Sequence, residues 1–463
     1  MDSRRSDANG FLDNESRINK LATWQKKWST QRIMSRPRVL IIAESANPDW
    51  VSVPLVGWSL ANALREVADA HIVTHIRNRQ AILNAGLVEG EDFTAIDSEK
   101  VARPLWKLSN MLRGGAGKGW TTGTAISIIS YYYFEALVWK KFGGAICSGK
   151  FDIVHRITPL SPTIPSLIAK KCRRANIPFV LGPLNGGVPW PKGFDSARRQ
   201  EKEWLSYVRN AYKLFPGYRS TLKSASTLLI GSKDTLNQVP GQYHDKCIYL
   251  PENAIDPAKF SRVACPESTS VLHACFVGRL VPYKGPDMLL EAATPLLLEG
   301  RLHLEILGDG PLLQTLHDMV SRKGLESAVT LHGWVAHSEI QNIMCRSHVF
   351  AFPSIREFGG GAVLEAMALG LVPIIVDYAG PGELVNQDTG FKLPMARRET
   401  IISSLSDKLK MIADDRQCLE PMKLAARNRV HNLFTWSAKA RQTREIYDWI
   451  LKPSVAKPEF FKE

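Results

Sequence analysis

The stretch "REFGGGAVLEAMALG" (residues 356–370) decides the fold of the chain around it. The residues just before it, "HVFAFPS" (348–354), are typical of a short buried strand, and "AVLEAMALG" has the apolar spacing of a helix that ends at Gly370. The three consecutive glycines (359–361) therefore predict a strand-to-helix turn at which the backbone approaches another group closely. Two carboxylates, Glu357 and Glu365, stand on either side of this turn.

The same alternation of strand and helix recurs along the chain. "RVLIIAES" (38–45) predicts a buried strand, and "GWSLANALREVA" (57–68) predicts the helix that follows it. After residue 270 the pattern restarts, with a boundary near residues 251–269. Such alternation predicts parallel sheets covered by helices. We therefore expect two α/β units, and because ligands of open sheets bind beyond the carboxyl ends of the strands, two facing units would enclose a cleft.

Composition excludes several classes of protein. The 463 residues are 44% hydrophobic and 22% charged, which is typical of a globular protein with two or three domains. None of the seven cysteines forms a CxxC pair, so we expect reduced thiols and neither a disulfide framework nor a zinc site. The first twenty residues contain no apolar segment typical of a signal peptide, which favours a cytoplasmic location.

The positive charge is concentrated in one half of the chain. Residues 1–260 contain 36 Lys and Arg against 22 Asp and Glu, together with nine of the 12 tryptophans, whereas the remainder is balanced. Basic surfaces attract nucleic acid, anionic lipid or phosphorylated ligands. We expect the N-terminal half to meet an anionic partner, with a merely solubilising surface as the alternative.

The segment "TTGTAISIISYYYFEALVWKKFGG" (121–144) is the most apolar in the chain. Glu135 and the three adjacent tyrosines make it a poor membrane span, so a buried helix is predicted. The alternative is an interfacial helix with Trp139 and the lysines that follow it at the level of the lipid headgroups.

Three features of the second half point to one kind of ligand. "GRLVPYKG" (278–285) places Arg279 and Lys284 on a loop after a strand, where two cations suit a diphosphate. The glycine turn adds backbone N–H groups and a helix N-terminus, which form an anion site. Glu365, one turn into the helix, can accept both hydrogens of a vicinal diol such as a ribose, and Glu357 can accept from other hydroxyls. Together these features predict a nucleoside diphosphate that carries a sugar.

Several motifs, in this order, resemble the donor domain of the family 4 retaining glycosyltransferases, whose two-domain fold is called GT-B: "FVGRLVPYKG", "LGDGP", "LHGWV", "AFPSIREFGGGAVLEAMALGLVPII" and "DYAGPGELV". The resemblance covers residues 271–394. It implies that Arg279 and Lys284 bind the donor diphosphate, that Glu365 holds the ribose and that Glu357 faces the transferred sugar. The donor-binding residues expected on this basis are Gly278, Arg279, Lys284, Trp334, Glu357, Gly360, Gly361 and Glu365. The family has Glu-Gly-Phe-Gly, whereas Phe358 follows Glu357 directly here. Because the spacing of the two glutamates is kept, we expect the pocket to be kept as well, while the sugar contacts stay undetermined at this point.

The resemblance extends to the acceptor side at three positions. "FDIVHRITP" (151–159) is similar to a strand end of the family, which makes His155 a candidate catalytic residue. Since Ile157 stands where many members have a second histidine, a structural role for His155 is the alternative. Gly57 occupies the place of a glycine-rich turn over the diphosphate, and Asn185 lies in the expected acceptor loop.

The resemblance implies a fold with two Rossmann-like, doubly wound domains that face a cleft. We expect an N-terminal extension (1–36), an acceptor-binding domain (37–258) and a nucleotide-sugar donor-binding domain (259–432). The last segment (433–463) is similar to a helix of the family that crosses back onto the N-terminal domain.

The implied activity is retaining transfer of a sugar from a UDP- or GDP-sugar to an acceptor hydroxyl, with Arg279, Lys284, Glu357 and His155 as catalytic residues. No metal is expected, because no DxD-like motif stands at a strand end and the two cations can neutralise the diphosphate. No resident cofactor and no nucleic-acid partner are expected. The resemblance favours a glycan or lipid-linked acceptor in bacterial surface polysaccharide biosynthesis. The basic, tryptophan-rich N-terminal half favours peripheral attachment to the anionic inner face of the plasma membrane.

Two alternatives stay open at this point. A nucleotide-sugar epimerase shares the same double-domain fold, and it would release a changed sugar without any acceptor. A non-enzymatic protein that binds nucleic acid or membrane through its basic half is favoured only by charge. No recognised nucleic-acid motif accompanies that charge, and the predicted diphosphate loop would then have no purpose.

Overall fold

The computed structural model describes residues 36–112, 120–195, 216–266 and 270–461. The predicted N-terminal extension therefore lies almost entirely outside the described residues. Within them, the chain forms two parallel sheets, and each sheet is covered by helices.

The N-terminal sheet has seven parallel strands in the order β3-β2-β1-β4-β5-β6-β7. Every residue of the two central strands β4 and β5 is buried, as expected of strands that are covered on both faces. The strands are β1 Arg38–Ala43, β2 Asp69–His75, β3 Phe93–Ile96, β4 Ile153–Thr158, β5 Phe179–Leu184, β6 Thr227–Ile230 and β7 Cys247–Tyr249.

The helices of this domain are α1 Val53–Leu64, α2 Arg79–Asn84, α3 Glu99–Leu112, α4 Trp120–Cys147, α5 Leu167–Arg174, α6 Tyr218–Ser224 and α7 Lys233–Gln238. Helix α1 begins and ends four residues before the predicted range 57–68, because Pro54 in its first turn favours an earlier start. In α4, the side chains of Ile128, Phe134 and Val138 are buried, which confirms the buried-helix prediction for this part of the segment. None of the described helices has both the length and the apolar character required to cross a membrane.

The C-terminal sheet has six parallel strands in the order β10-β9-β8-β11-β12-β13. Its strands are β8 Leu272–Val277, β9 Leu302–Leu307, β10 Val329–Gly333, β11 Val349–Phe352, β12 Val372–Val376 and β13 Phe391–Leu393. Its helices are α8 Pro286–Leu298, α9 Leu313–Lys323, α10 His337–Met344, α11 Gly361–Leu369, α12 Ala379–Leu384, α13 Arg398–Asp414 and α14 Leu419–Leu433. The predicted boundary at residues 258 and 259 falls in the connection between β7 and β8.

Helix α12, which follows β12 of the C-terminal domain, contacts the end of β7 and the start of α7 in the N-terminal domain. Glu383 of the C-terminal domain accepts a hydrogen bond from the backbone N–H of Lys233 (2.9 Å) and one from the hydroxyl of Tyr249 (2.6 Å), both in the N-terminal domain. The carboxyl ends of the two sheets therefore face a common cleft, as predicted.

A second contact between the domains is made by residues 186–194, which follow β5 and which we call the bridging segment. Its Val188 carbonyl accepts a hydrogen bond from Arg356 Nε (3.1 Å), and its Pro189 carbonyl accepts one from the Tyr378 hydroxyl (3.0 Å). The buried side chain of Phe194 packs into an apolar cluster of the C-terminal domain that includes Met288, Ile355, Val376 and Ile401. The bridging segment thus belongs to one domain by sequence and packs on the other.

The final helix, α15 Trp436–Leu451, returns to the N-terminal domain. Its Ala440, Ile446 and Tyr447 share a core with the side chains of β1 and α1. The chain crosses between the domains twice, and the two crossings lie side by side, since the backbone N–H of Ile255 donates to the carbonyl of Phe434 (2.8 Å). The predicted return of the C-terminal helix is confirmed.

Candidate active site

The glycine turn between β11 and α11 has a different reason for glycine at each position. Gly360 has a φ of 58°, a left-handed conformation that favours glycine, and it directly precedes α11. A Cβ on Gly359 would lie only 2.1 Å from the Asn253 side-chain nitrogen. At Gly361, the first residue of the helix, the nearest atom would be 3.8 Å away. The close partner of Gly359 is therefore a protein side chain, whereas a Cβ at Gly361 would make only an ordinary contact with the same Asn253 side chain.

Lys284 and Glu357 form an ion pair at the carboxyl ends of β8 and β11. The Lys284 Nζ lies 3.0 Å from the Glu357 Oε2, and each side chain is about one-fifth exposed. The ammonium group also lies 5.6 Å from the ring centroid of Phe352, at the end of β11. The structure thus brings together two of the residues predicted to bind the diphosphate and the sugar.

Arg279 stands on the same loop as Lys284, and its side chain is exposed. It follows Gly278, at which a Cβ would lie 3.4 Å from the Lys284 side chain. Arg279 and Lys284 therefore stand on one short loop after β8, and the Lys284–Glu357 pair joins this loop to the one that leads into α11. These two cations and the N-terminus of α11 form a charged corner suited to a diphosphate.

Glu365 has a partner that no sequence motif indicated. Its Oε1 lies 3.0 Å from the Nε2 of His337, which begins α10. The hydrogen bond and the charge of Glu365 raise the pKa of His337 above its usual range, against the opposing effect of burial. Because a carboxylate accepts several hydrogen bonds, this pairing orients Glu365 without using all of its acceptor capacity. The only signal in the sequence was a histidine shortly after the strand "VTLHGWV".

Trp334 directly follows β10 and is 77% exposed. A large aromatic side chain left in solvent at a strand end can cover a flat ligand at little cost in reorganisation. The structure therefore places Trp334 at the same edge of the sheet as the charged corner, three strands away from β11 in the sheet order.

The structure does not support a catalytic role for His155. This residue lies within β4 with no exposed surface, its Nδ1 is 2.7 Å from the Tyr447 hydroxyl, and its Nε2 is 2.8 Å from the Gly182 carbonyl oxygen. Burial lowers the pKa of the imidazole to about 4. Because both ring nitrogens are hydrogen-bonded inside the protein, the structural alternative fits this residue, and we leave it out of the catalytic set.

Gly57 lies within α1 rather than in a glycine-rich turn. A Cβ there would stand 2.2 Å from the Ser45 carbonyl oxygen and 2.9 Å from the Thr158 side chain. Glycine therefore lets α1 pack closely on the loop after β1 and on the end of β4. The sheet order reverses between these two strands, so this is the point at which a ligand of the N-terminal domain would bind.

Asn185 lies directly after β5 and directly before the bridging segment. Its Oδ1 accepts a hydrogen bond from the backbone N–H of Gly187 (2.9 Å), and its Nδ2 donates to Glu252 Oε1 (3.0 Å). Glu252 and Arg356, which binds the bridging segment, are further site residues that could not be recognised from sequence. Arg356 stands inside the motif "AFPSIREFGGGAVLEAMALGLVPII", directly before Glu357, and Glu252 stands in the connection after β7, but the sequence assigned a role to neither.

Within the part of the chain that the structure describes, no three His, Cys, Asp or Glu side chains are grouped so that they could hold a metal ion. The polar groups that the described cleft offers to a ligand are its cations, its carboxylates and its backbone N–H groups.

Comparison with known families identifies the C-terminal half. Residues 266–428 match the family model described as "Glycosyl transferases group 1". Among curated proteins, the chain is 26% identical over 326 residues to an Escherichia coli UDP-Gal:alpha-D-GlcNAc-diphosphoundecaprenol alpha-1,3-galactosyltransferase, covering 64% of this chain and 75% of that protein. It is 26% identical over 208 residues to a phosphatidylinositol N-acetylglucosaminyltransferase subunit from Arabidopsis thaliana, covering 45% of each chain. The match covers less than half of the length of this Arabidopsis protein, and the same holds for two further relatives.

Solved structures show the same fold over nearly the whole chain. A glycosyltransferase from Rickettsia africae matches 91% of this chain and 100% of its own, with a TM-score of 0.59 and 18% identity. Anabaena HepE in complex with UDP matches 88% of this chain and 99% of its own, with a TM-score of 0.56 and 16% identity. The two parallel sheets, the cleft and the returning helix are the GT-B fold, and residues 266–428 are similar to the glycosyl transferases group 1 family.

Proposed function

We propose that the protein is a retaining glycosyltransferase that moves a sugar from a UDP- or GDP-sugar to an acceptor hydroxyl. The observation that carries this proposal is the charged corner of the group 1 domain. There, the exposed Arg279 and the Lys284–Glu357 pair stand at the adjoining ends of β8 and β11, and the N-terminus of α11 follows at Gly361.

Each residue of this corner has a proposed role. Arg279 and Lys284 bind the two phosphates, and the N-terminus of α11 adds the positive end of its dipole. Glu365, oriented by His337, accepts the ribose hydroxyls, and Trp334 covers the base. Glu357 accepts hydrogen bonds from the transferred sugar, and its pairing with Lys284 aims it at the diphosphate corner.

The proposed reaction replaces one bond at the anomeric carbon with another. The bond to the leaving phosphate oxygen breaks as the acceptor oxygen attacks from the same face, so the configuration is retained. The proton of the acceptor hydroxyl passes to the leaving phosphate. Negative charge grows on the diphosphate during this step, and Arg279, Lys284 and the helix end stabilise it. This proposal requires no metal, because the fixed cations supply the neutralising charge.

Nucleotide binding should be visible as thermal stabilisation. A nucleoside diphosphate at a hundred times its dissociation constant should stabilise the protein by about 2.7 kcal/mol. We expect an increase in Tm with UDP or GDP from a panel of UDP, GDP, ADP and TDP. Arg279→Ala should abolish the increase, while the matched control Arg322→Ala, an exposed residue of α9, should preserve it.

Two results would contradict the proposal. No change in Tm with any nucleotide would mean that the corner binds no donor. Binding of a nucleotide sugar followed by release of an altered nucleotide sugar, with no acceptor present, would indicate an epimerase.

A lipid-linked glycan is the proposed acceptor, in the assembly of a bacterial surface polysaccharide. The name of the Escherichia coli relative specifies a lipid-linked acceptor, and that protein matches most of this chain. The N-terminal domain also carries a basic groove of about 590 Å³ between α5 and α6. Its cations are Lys170, Arg173, Arg174, Arg219 and Lys223.

We propose that this basic groove rests on the anionic inner face of the plasma membrane. Each Lys or Arg near such a surface contributes about 1 kcal/mol of attraction, so a cluster of five is sufficient for reversible attachment. Attachment there would hold the acceptor domain close to a lipid-linked substrate.

Vesicle binding tests the basic groove directly. The double variant Arg173→Glu/Arg174→Glu should reduce co-sedimentation with vesicles rich in phosphatidylglycerol by at least about tenfold at low salt, because two attractive charges become repulsive. The control Arg322→Glu/Lys323→Glu makes the same charge change on α9 of the donor domain and should bind like the unmodified protein. If both double variants lost vesicle binding equally, binding would depend only on the net charge of the protein and not on the basic groove. If the unmodified protein did not bind the vesicles at all, the proposed membrane attachment would be wrong.

A further inference from the structure

Glu252 is a buried carboxyl group at the junction of the two domains. It lies on the first crossing between the domains and is only 8% exposed. Its Oε1 accepts the hydrogen bond from Asn185 and would stand 3.2 Å from a Cβ on Gly359. Glu252 therefore contacts the acceptor loop of one domain and the glycine turn of the other.

The second oxygen of Glu252 has no partner. Among the described residues, none forms a hydrogen bond with its Oε2, which is fully buried. A charged carboxylate in this position is costly, because a buried ion needs its hydrogen bonds to offset lost hydration. Burial, together with the negative charge of Glu357, raises the pKa of Glu252 to about 7, although the Asn185 hydrogen bond opposes this. A large share of molecules therefore carries a proton on Glu252 near neutral pH.

We propose that Glu252 is a positioning residue for sugar transfer, which holds the Asn185 loop of the acceptor domain against the glycine turn next to Glu357. This inference rests on the proposed transferase function. Within the described residues, Glu252 forms no hydrogen bond or ion pair with Arg279 or Lys284. It acts through the two loops whose separation determines how far the acceptor oxygen stands from the donor sugar.

The neutral form of Glu252 suits this role better than the charged form. The neighbours identified around the carboxyl group are the Asn185 amide on the acceptor side and Glu357 on the donor side, with Lys284 already paired to Glu357. The Asn185 amide carries no charge that could neutralise Glu252. The Lys284 ammonium is paired with Glu357, 3.0 Å away, instead of with Glu252. Ionised Glu252 would therefore repel Glu357 and push the two loops apart.

The sign of the effect on stability follows from the raised pKa. The folded protein retains the proton up to about pH 7, whereas the unfolded chain releases it near the ordinary value of 4.5. Between these pH values the folded state binds more protons, so its stability falls as the pH rises and levels off above about 7.

Glu252→Gln tests the proposal because glutamine keeps the acceptor for Asn185 and cannot ionise. In the unmodified protein, kcat should fall about tenfold per pH unit above the pKa of Glu252, while KM for the nucleotide sugar stays constant. In Glu252→Gln, kcat should be level over the same range. The Tm of the variant should match that of the unmodified protein at pH 5 and exceed it by at least about 2 °C at pH 8.

Glu44 supplies the matched control. Burial raises the pKa of this carboxyl group, which follows β1, to about 7 as well, but no described contact connects it with Asn185 or Gly359. Glu44→Gln should therefore leave the alkaline fall in kcat in place. If the fall disappears in Glu44→Gln and persists in Glu252→Gln, the positioning role of Glu252 is wrong.

The two measurements separate this proposal from the function on which it rests. If no nucleotide binds, the transferase proposal fails, while the pH dependence of Tm still reports on the contact between the loops. A folded Glu252→Gln variant that binds nucleotide but has no transfer at any pH would overturn the positioning role, because the neutral form is then insufficient.

Discussion

Replacing Lys284 with alanine should reduce kcat/KM for sugar transfer by about a hundredfold. A hydrogen bond from a charged group contributes about 1.5–3 kcal/mol, which corresponds to a tenfold to hundredfold effect on the rate. The upper end is expected here, because the substitution also leaves Glu357 without its partner at 3.0 Å, beside an incoming diphosphate of the same sign. Steady-state kinetics with the nucleotide sugar identified by thermal shift would measure this loss.

The control for Lys284→Ala is Lys323→Ala, which removes an exposed lysine of α9 in the same domain and should be neutral. The double variant Lys284→Ala/Glu357→Gln should lose less than the product of the two single losses, since the two side chains act as a pair. Transfer within twofold of the unmodified rate in Lys284→Ala would remove this lysine from the catalytic set.

Gly308→Ala should destabilise the protein by more than about 3 kcal/mol. This glycine follows β9 with a φ of 145°, a conformation that costs other residues about 1–3 kcal/mol. A Cβ there would also stand 1.9 Å from the carbonyl oxygen of Gly278, so the loops after β8 and β9 would have to separate. Equilibrium unfolding in urea would measure the change. Because Gly278 precedes Arg279, we also expect weaker nucleotide binding in any folded fraction.

Gly300→Ala separates the two contributions to this effect. Gly300 also has a positive φ, 66°, but no atom lies within 4 Å of its would-be Cβ. Gly300→Ala should therefore lower the free energy of unfolding only by the cost of a positive φ at alanine, which is about 1–2 kcal/mol. If both variants lose the same stability, the close approach of the two loops contributes nothing, and the steric argument for Gly308 fails.

The donor side could be predicted from sequence because its geometry is local. Arg279, Lys284 and Glu357 each stand a few residues after a recognisable strand, and the carboxyl ends of parallel strands meet at one edge of a sheet. The strand–glycine–helix pattern at 359–361 predicts the turn and the start of α11 for the same reason. Periodicity determines such elements within a dozen residues, without knowledge of the remaining chain.

The acceptor side could not be predicted in this way, because its contacts join distant parts of the chain. The hydroxyl that binds His155 belongs to Tyr447, 292 residues further along, and nothing near "DIVHRI" indicates that the imidazole is enclosed. Glu252 is bound by Asn185, 67 residues earlier. A glycine such as Gly57 suggests a turn, whereas here it permits close packing of a helix. Burial and pairing of this kind are decided by tertiary packing.

The bridging segment makes the two binding events interdependent. Arg356, which holds the Val188 carbonyl, directly precedes Glu357, and Val188 stands three residues after Asn185. If nucleotide binding, as proposed, shifts the donor loop, this hydrogen bond would pass the shift to the acceptor loop. Thermodynamic reciprocity then requires that a bound acceptor strengthen donor binding by the same factor by which the donor strengthens acceptor binding. Opening the cleft would pull Phe194 out of its apolar cluster and expose its side chain to water.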